Sequence, residues 1–496
     1  MTGFSGRLLL GAALFLSSVQ AQDQLALRSQ QAKQLMSQGR FAEAAAIYDE
    51  LCKALPTNTG LRLNLGMALQ MSGKAKDSIP HLETVLKAQP GLLPALLTLA
   101  SARLQQNEPK LAIPLLEKAV PLDAANPAPR GMLATALLAT GRAGEAAPHF
   151  RKLTEIAPAD PKGWNGLGRA YEAISVQAFE QLSKSAPESA YWFTLLAESR
   201  NKQSQNRAAF FFYRKAADKA PKLRGVHAAL ADIYRRTDHA DWAAKEDALE
   251  AAIPRLDCKA ARSLECDFAA TRYLPITTSP LATPEALFWK VRAANQLAVQ
   301  AFSTLEKLPE SMEVLTIVAE LHAAQGRHKE SANAWDRALT LSGGDPGIRR
   351  ELAAALIAAK DFSAAQAVID KLMSQEPSAP DVNFLQGDLL LVQQEAEKAI
   401  PFLRIAVAAD AKLLPAQAAL ARALLQTGQG EAAVPHIQAA LPLDDDGSMH
   451  FQLARAYQAA GKADLAKTAM AKYQEIRSRM QASNATLEEE AQITPP

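Results

Sequence analysis

The nine residues Gly163-Trp164-Asn165-Gly166-Leu167-Gly168-Arg169-Ala170-Tyr171 decide how the chain is to be read. Trp164, Leu167, Gly168 and Tyr171 form a helical anchor in which a glycine stands where a neighbouring segment comes close. Moving back in steps of 34 residues from Gly168 gives Ala134, Ala100, Gly66 and Ala32. Downstream, Ala319, Ala353, Gly387 and Ala421 keep the same interval, and Ala454 follows. Prolines repeat it from Pro56 to Pro90, Pro80 to Pro114 to Pro148, Pro187 to Pro221 and Pro401 to Pro435. Gly39, Gly73 and Gly141 share the beat. So many independent series rule out coincidence.

The period is that of a helix hairpin. A first helix carries the small residue, a Gly or polar residue turns the chain, and a second helix returns until a proline ends it. One hairpin cannot bury its apolar face alone, so the units must stack. Composition agrees: 48% of the 496 residues are hydrophobic and 21% charged, enough for a core, while aromatics are only 6%. Helix-favouring Ala and Leu prevail over strand formers. A net charge of +2 offers no electrostatic basis for binding nucleic acid or an anionic membrane.

Weaker copies of the anchor occur at Leu230-Ala231-Tyr234 and Leu453-Ala454-Tyr457. Second-helix small and aromatic pairs occur at Ala146 and Phe150, Ala209 and Tyr213, and Ala332 and Trp335. With these, residues 25 to 480 resemble the tetratricopeptide repeat. The resemblance implies an all-α, right-handed superhelical solenoid of about 12–13 antiparallel hairpins.

The beat breaks twice. After Gly168 the next small anchor, Ala197, comes early, which predicts a hairpin shortened near Ser175. Val291 to Lys307 then repeats Gly168 to Lys184, with Val176-Gln177-Ala178-Phe179 matching Val299-Gln300-Ala301-Phe302. A two-hairpin block reads as duplicated. The resulting organisation is a leader over 1–21, an N-terminal solenoid over 22–257, an irregular joint over 258–311, a C-terminal solenoid with a capping helix over 312–480, and a disordered acidic tail over 481–496.

The leader has the parts of a secretory signal: Arg7, the apolar run Leu8 to Leu16, and Val19-Gln20-Ala21 before a cut at Gln22. That run is too short to span a bilayer and no second apolar run of spanning length appears, so the chain reads as exported, periplasmic or secreted, without a transmembrane segment after cleavage. An exported chain can oxidise Cys258 and Cys266, whose bridge would close a nine-residue loop worth about 2.6 kcal/mol. Two buried thiols are the alternative reading. Cys52 falls on an apolar helix face as packing.

Catalytic chemistry does not emerge. Gly163, Gly166 and Gly168 follow no strand, so they are not a phosphate loop. His81, His149 and His436 each follow a proline at one repeat position and read as recurrent packing residues. His227 and His239, near Asp232 and Asp238, fall on opposite helices of one hairpin. No cofactor and no metal is expected, and Asn484-Ala485-Thr486 fits a glycosylation acceptor in the tail.

The repeat resemblance implies a groove lined by first helices. It places there Asn165, Arg169 and Glu172, then Tyr191, Thr194, Glu198, Asn201 and Lys202, then Asp232, Arg235 and Arg236. Leu63, Met67, Met71 and Leu138 make the earlier part apolar. The expected function is a non-enzymatic scaffold for a protein or peptide segment. The alternative is a cell-envelope or polysaccharide assembly component, with Tyr191 and Trp192 as sugar platforms. Arg235 and Arg236 either hold an acidic partner or belong to an inter-repeat ion-pair ladder.

Overall fold

The structure, a computed structural model, describes residues 23–259, 263–481 and 492–496. The leader, Asn484 and most of the expected tail lie outside the described residues. Helix 23–37 (α1) pairs with α2 (Phe41–Ala54), α3 (Thr59–Met71) with α4 (Ala75–Ala88), α5 (Leu93–Gln105) with α6 (Pro109–Leu122), and α7 (Pro127–Ala139) with α8 (Ala143–Ile156). A long helix, α9 (Pro161–Ser185), follows. Next come the hairpins α10 (Ala190–Lys202) with α11 (Asn206–Lys219) and α12 (Val226–Arg236) with α13 (Ala240–Ala252). Short helices α14 (Leu264–Ala269) and α15 (Tyr273–Thr277) lead to a second long helix, α16 (Pro284–Leu305). Five more pairs complete the described chain: α17 (Met312–Ala324) with α18 (His328–Leu341), α19 (Pro346–Ala358) with α20 (Phe362–Gln375), α21 (Pro380–Val392) with α22 (Ala396–Ala409), α23 (Leu414–Gln426) with α24 (Gly430–Ala440), and α25 (Ser448–Ala459) with α26 (Ala463–Gln481). No strand occurs among the described residues. The chain is an all-α tandem hairpin repeat, as its periodicity requires.

Contacts group the chain into two compact units. Among the described residues, one holds those up to Gln177 with Tyr273–Thr278 and Lys290–Ser303, and the other holds the remainder. Within each, the small-residue series supplies the close approach. Ala32, Ala100, Ala134, Ala319 and Ala353 are fully buried. A Cβ added at Gly66 would lie 2.7 Å from Leu82, and one at Gly387 2.5 Å from Leu403, the matching leucine of another second helix. Several first helices begin on polar caps: Asn58, Ser189, Ser311 and Asp345 accept from Leu61, Trp192, Val314 and Ile348 backbone N–H groups, satisfying donors that a helix start leaves open.

Four expectations need correction. The hairpin shortened near Ser175 is the uninterrupted helix α9, and its sequence duplicate is the uninterrupted helix α16. The joint placed over 258–311 therefore contains 22 residues of regular helix, preceded by the short helices α14 and α15 and followed by turn and irregular backbone over 306–311. Pro80, Pro114, Pro148, Pro401 and Pro435 lie inside second helices, each at the sixth residue, and do not end them. All five are exposed, so the carbonyl that each leaves unbonded can turn to water. Finally, Gln492–Pro496 does not hang free: Ile493 packs against the core of the second unit.

Candidate functional site

The first-helix residues on α10 and α12 share one unit, and the structure brings part of the expected set together. Arg236 is the centre. Its Nη2 donates to Asn201 Oδ1 at 2.6 Å across the two hairpins, its Nη1 to Asn206 Oδ1 at 3.0 Å, and Nη2 also lies 3.0 Å from Asp232 Oδ2 one turn back. Arg235 turns away to the second helix of its own hairpin, where Nη1 donates to Asp247 Oδ2 at 2.8 Å. Arg235, Arg236, Asp232 and Lys202 are all exposed, and Asn201 and Glu198 are half-buried. The result is a solvated polar surface whose guanidinium groups are oriented by bonds within the protein. An exposed ion pair of this kind stabilises by about 0.2–1 kcal/mol.

Other members are placed differently. Thr194 is buried and its hydroxyl donates to the Ala190 carbonyl at 2.8 Å, so it serves the core of α10. The Tyr191 ring is engaged by Phe288, 5.2 Å between centroids, and Trp192 by Phe193 at 5.3 Å. In the first unit, α9 carries Asn165, half-buried, with Arg169 and Glu172 exposed. Crowding by neighbouring protein raises the Glu172 carboxyl above its usual range, and Arg169 opposes that shift, although the residue as a whole reaches solvent. Leu63, Met67 and Leu138 are half-buried and Met71 is 47% exposed, an apolar run on the corresponding helices.

A tetratricopeptide-repeat family model matches residues 35–102, 103–170 and 297–389. Those three stretches are similar to tetratricopeptide repeats. Solved structures with similar stretches include a MamA from strain MSR-1 (19% identity, 34% of this chain and 98% of that one, TM-score 0.29). Others are MamA residues 41 to the end from Desulfovibrio magneticus RS-1 (21%, 35% and 98%, 0.30) and a thermophilic TPR protein of Thermus thermophilus (18%, 35% and 98%, 0.30). No curated protein matches.

Repeat residues that looked chemically suggestive are held by packing. The imidazoles of His81, His149, His322 and His436 are all pushed below the ordinary histidine range, chiefly by burial; nearby Arg62, Arg130, Arg327 and Arg404, respectively, add to it. His436 meets Gln417 Oε1 at 2.7 Å. His227 is buried in the α12–α13 hairpin, with Nδ1 2.6 Å from Glu246 Oε2 and Nε2 3.0 Å from the Pro221 carbonyl. Arg214 approaches the other Glu246 oxygen at 3.5 Å. This buried polar network ties α11, α12 and α13 together. Sequence reasoning missed it, because Glu246 has the same charge as any surface glutamate and only the fold shows its side chain to be 1% exposed. His239 stacks on Trp242, 4.1 Å between centroids, so the two histidines do different jobs.

Cys258 and Cys266 are bridged, with Cα atoms 5.5 Å apart. Cys52 is a free, buried thiol whose pKa burial pushes up, which leaves it unreactive. Among the described residues no three His, Cys, Asp or Glu side chains cluster as metal ligands, and no helix is long and apolar enough to cross a membrane.

Proposed function

We propose that this protein is a non-enzymatic scaffold that holds a protein or peptide segment against its first helices in an exported, oxidising compartment. The observation that carries the reading is the exposed Arg235–Arg236 pair, oriented on a repeat surface by Asn201, Asn206, Asp232 and Asp247. Arg235 is held through Nη1 alone, so its Nε and Nη2 can meet a carboxylate through two parallel hydrogen bonds, and an acidic peptide is the favoured ligand. Asp232 and Asp247 temper the positive field and select a spaced acidic segment over a bare polyanion. The leader pattern around Arg7 and Ala21, together with the Cys258–Cys266 bridge, supports export. A glycan platform has less support, since the Tyr191 ring is already engaged by Phe288.

The double variant Arg235→Ala, Arg236→Ala tests this reading. Its melting temperature should hold nearly constant, because exposed pairs are worth at most about 1 kcal/mol each. Binding of acidic peptides, measured on an array of carboxylate-rich sequences, should fall by about tenfold or more. Unchanged peptide binding with a lowered melting temperature makes the pair an intramolecular ladder and ends the proposal.

A further inference from the structure

Tyr234 lies in α12 with a fully buried side chain, and its hydroxyl donates to a carbonyl that belongs to none of the repeats. The acceptor is Thr494 O, 2.5 Å away and 260 residues further along the chain. Beside it, Ile493 is half-buried against the cluster that contains Phe210, Ile233 and Tyr234, and Trp242 packs on the same cluster. The Tyr234 ring meets Phe210 at 5.5 Å and Trp242 edge-on at 5.6 Å, so neighbours on two helices hold it rigid. A buried phenol hydroxyl needs an acceptor, and here the acceptor lies in a segment without helix or strand.

We infer that the α12–α13 hairpin carries a docking site for an extended peptide of the form branched aliphatic–x–Pro–Pro, which segment Gln492–Pro496 occupies in cis. The sequence of the segment suits the task. Ile493 supplies apolar burial. Pro495 confines Thr494 to extended backbone, which presents the Thr494 carbonyl to Tyr234. Pro495 and Pro496 bring no N–H groups that docking would strip of water, and a proline-rich segment loses little conformational freedom on binding. A partner segment of the same chemistry has to displace the tethered copy. The site depends on the scaffold reading only in treating a repeat surface as a peptide site. It uses neither Arg235 nor Arg236, so the two ideas fail separately.

The test uses a fluorescein-labelled peptide with the sequence of residues 486–496, Thr-Leu-Glu-Glu-Glu-Ala-Gln-Ile-Thr-Pro-Pro, titrated against three forms of the protein up to millimolar concentration. These are the full chain, a chain lacking 492–496, and the full chain with Ile493→Asp, each checked by its thermal melt. The shortened chain and the Ile493→Asp chain should bind the peptide saturably. The intact chain should bind it about tenfold more weakly or worse, because its own segment competes at high effective concentration. Tyr234→Phe in the shortened chain should weaken binding by about three- to tenfold, and a peptide carrying aspartate in place of Ile493 should not bind. No saturable binding to the shortened chain overturns the inference. So does equal binding to shortened and intact chains, or an aspartate peptide that binds as well as the original.

Discussion

In the second hairpin α3 ends at Met71, and Gly73 takes a left-handed φ of +81° to start the way back. In α9 the equivalent turn position is Ser175, which lies in mid-helix, and the helix runs on to Ser185. The difference lies in a few residues. Ordinary hairpins hold a residue at positive φ at the turn, a glycine in several and Asn107, Ser204, Lys360 or Gln394 in others, whereas Ser175 of Ala173-Ile174-Ser175-Val176-Gln177 stays helical. Ile174 and Ser175 are buried, so continuing the helix also adds to the core. Helix α16 repeats the behaviour because it repeats the sequence, and Val176 and Val299 are both exposed at the same point of the two copies. A 34-residue period therefore sets where a turn can occur, and burial at 174 and 175 favours the unbroken helix there.

The largest expected effect probes how the two long helices are held. A Cβ at Gly168 of α9 would sit 2.4 Å from the ring of Phe302, on the part of α16 that shares its unit. Gly168→Val should therefore destabilise by about 3 kcal/mol, at the upper end of overpacking costs, seen as a lower denaturation midpoint. Gly144→Val in the ordinary helix α8 meets nothing within 4 Å and should change stability by about 0.5 kcal/mol or less. Equal effects at the two sites would remove the close approach from the account.

The bridge comes next. Cys258→Ser with Cys266→Ser should cost about 2.6 kcal/mol if chain entropy governs the loop, since the segment between α13 and α14 has no hairpin of its own to hold it. Thiol titration of the unreduced, denatured wild-type protein should find Cys52 alone. Three reactive thiols would sink the bridge and weaken the case for an oxidising compartment.

Acidity separates the two kinds of region by sign. His81, His149, His322 and His436 belong to ordinary hairpins and titrate below their unfolded value, mainly through burial. Their contribution is complete above the unfolded histidine pKa and is lost as pH falls below it, because the unfolded chain then binds more protons. Glu172 of α9 titrates above its unfolded value for the same desolvation reason. Its contribution is complete below the unfolded carboxyl pKa and is lost as pH rises. Melting temperatures followed from neutral pH downward should thus decline, less so in a His81→Gln, His149→Gln, His436→Gln variant. Glu172→Gln should remove a gain at acid pH; a profile that all four substitutions leave unchanged would contradict both signs.

Much of the fold was legible because a close approach needs a small side chain wherever it recurs, and Ala32 to Gly168 display that need every 34 residues. The long helices were less legible, since a missing turn glycine and an early hairpin both shift the next anchor. The interior prolines misled for a related reason: proline at the sixth residue of a helix and proline at its end repeat with the same period. Of the residues that the repeat resemblance assigned to the groove, Arg236 reaches Asn201 and Asp232. The Arg235 partner, Asp247, belongs to a helix that register did not consider. The Tyr234–Thr494 bond joins residues far apart in a chain, and no local pattern signals it.

The smallest prediction returns to the turn. The left-handed position recurs at Gly39, Gly73, Asn107 and Gly141, then at Gly326, Lys360, Gln394 and Gly428, always 34 residues apart. Lys360 holds φ +62° and Gln394 φ +66°, where an L side chain crowds its own backbone. That crowding costs about 1–2 kcal/mol per residue. Glycine avoids it, at the expense of greater freedom in the unfolded chain, which offsets about 0.5–1 kcal/mol. Lys360→Gly and Gln394→Gly should each therefore stabilise by about 0.5–1 kcal/mol, read as a raised denaturation midpoint at unchanged slope. Glycine at Ser175 should do the reverse, costing about 1 kcal/mol, because there the helix continues and needs no left-handed residue. If glycine stabilised position 175 as it does 360, residue 175 would sit in a turn and not in an unbroken helix.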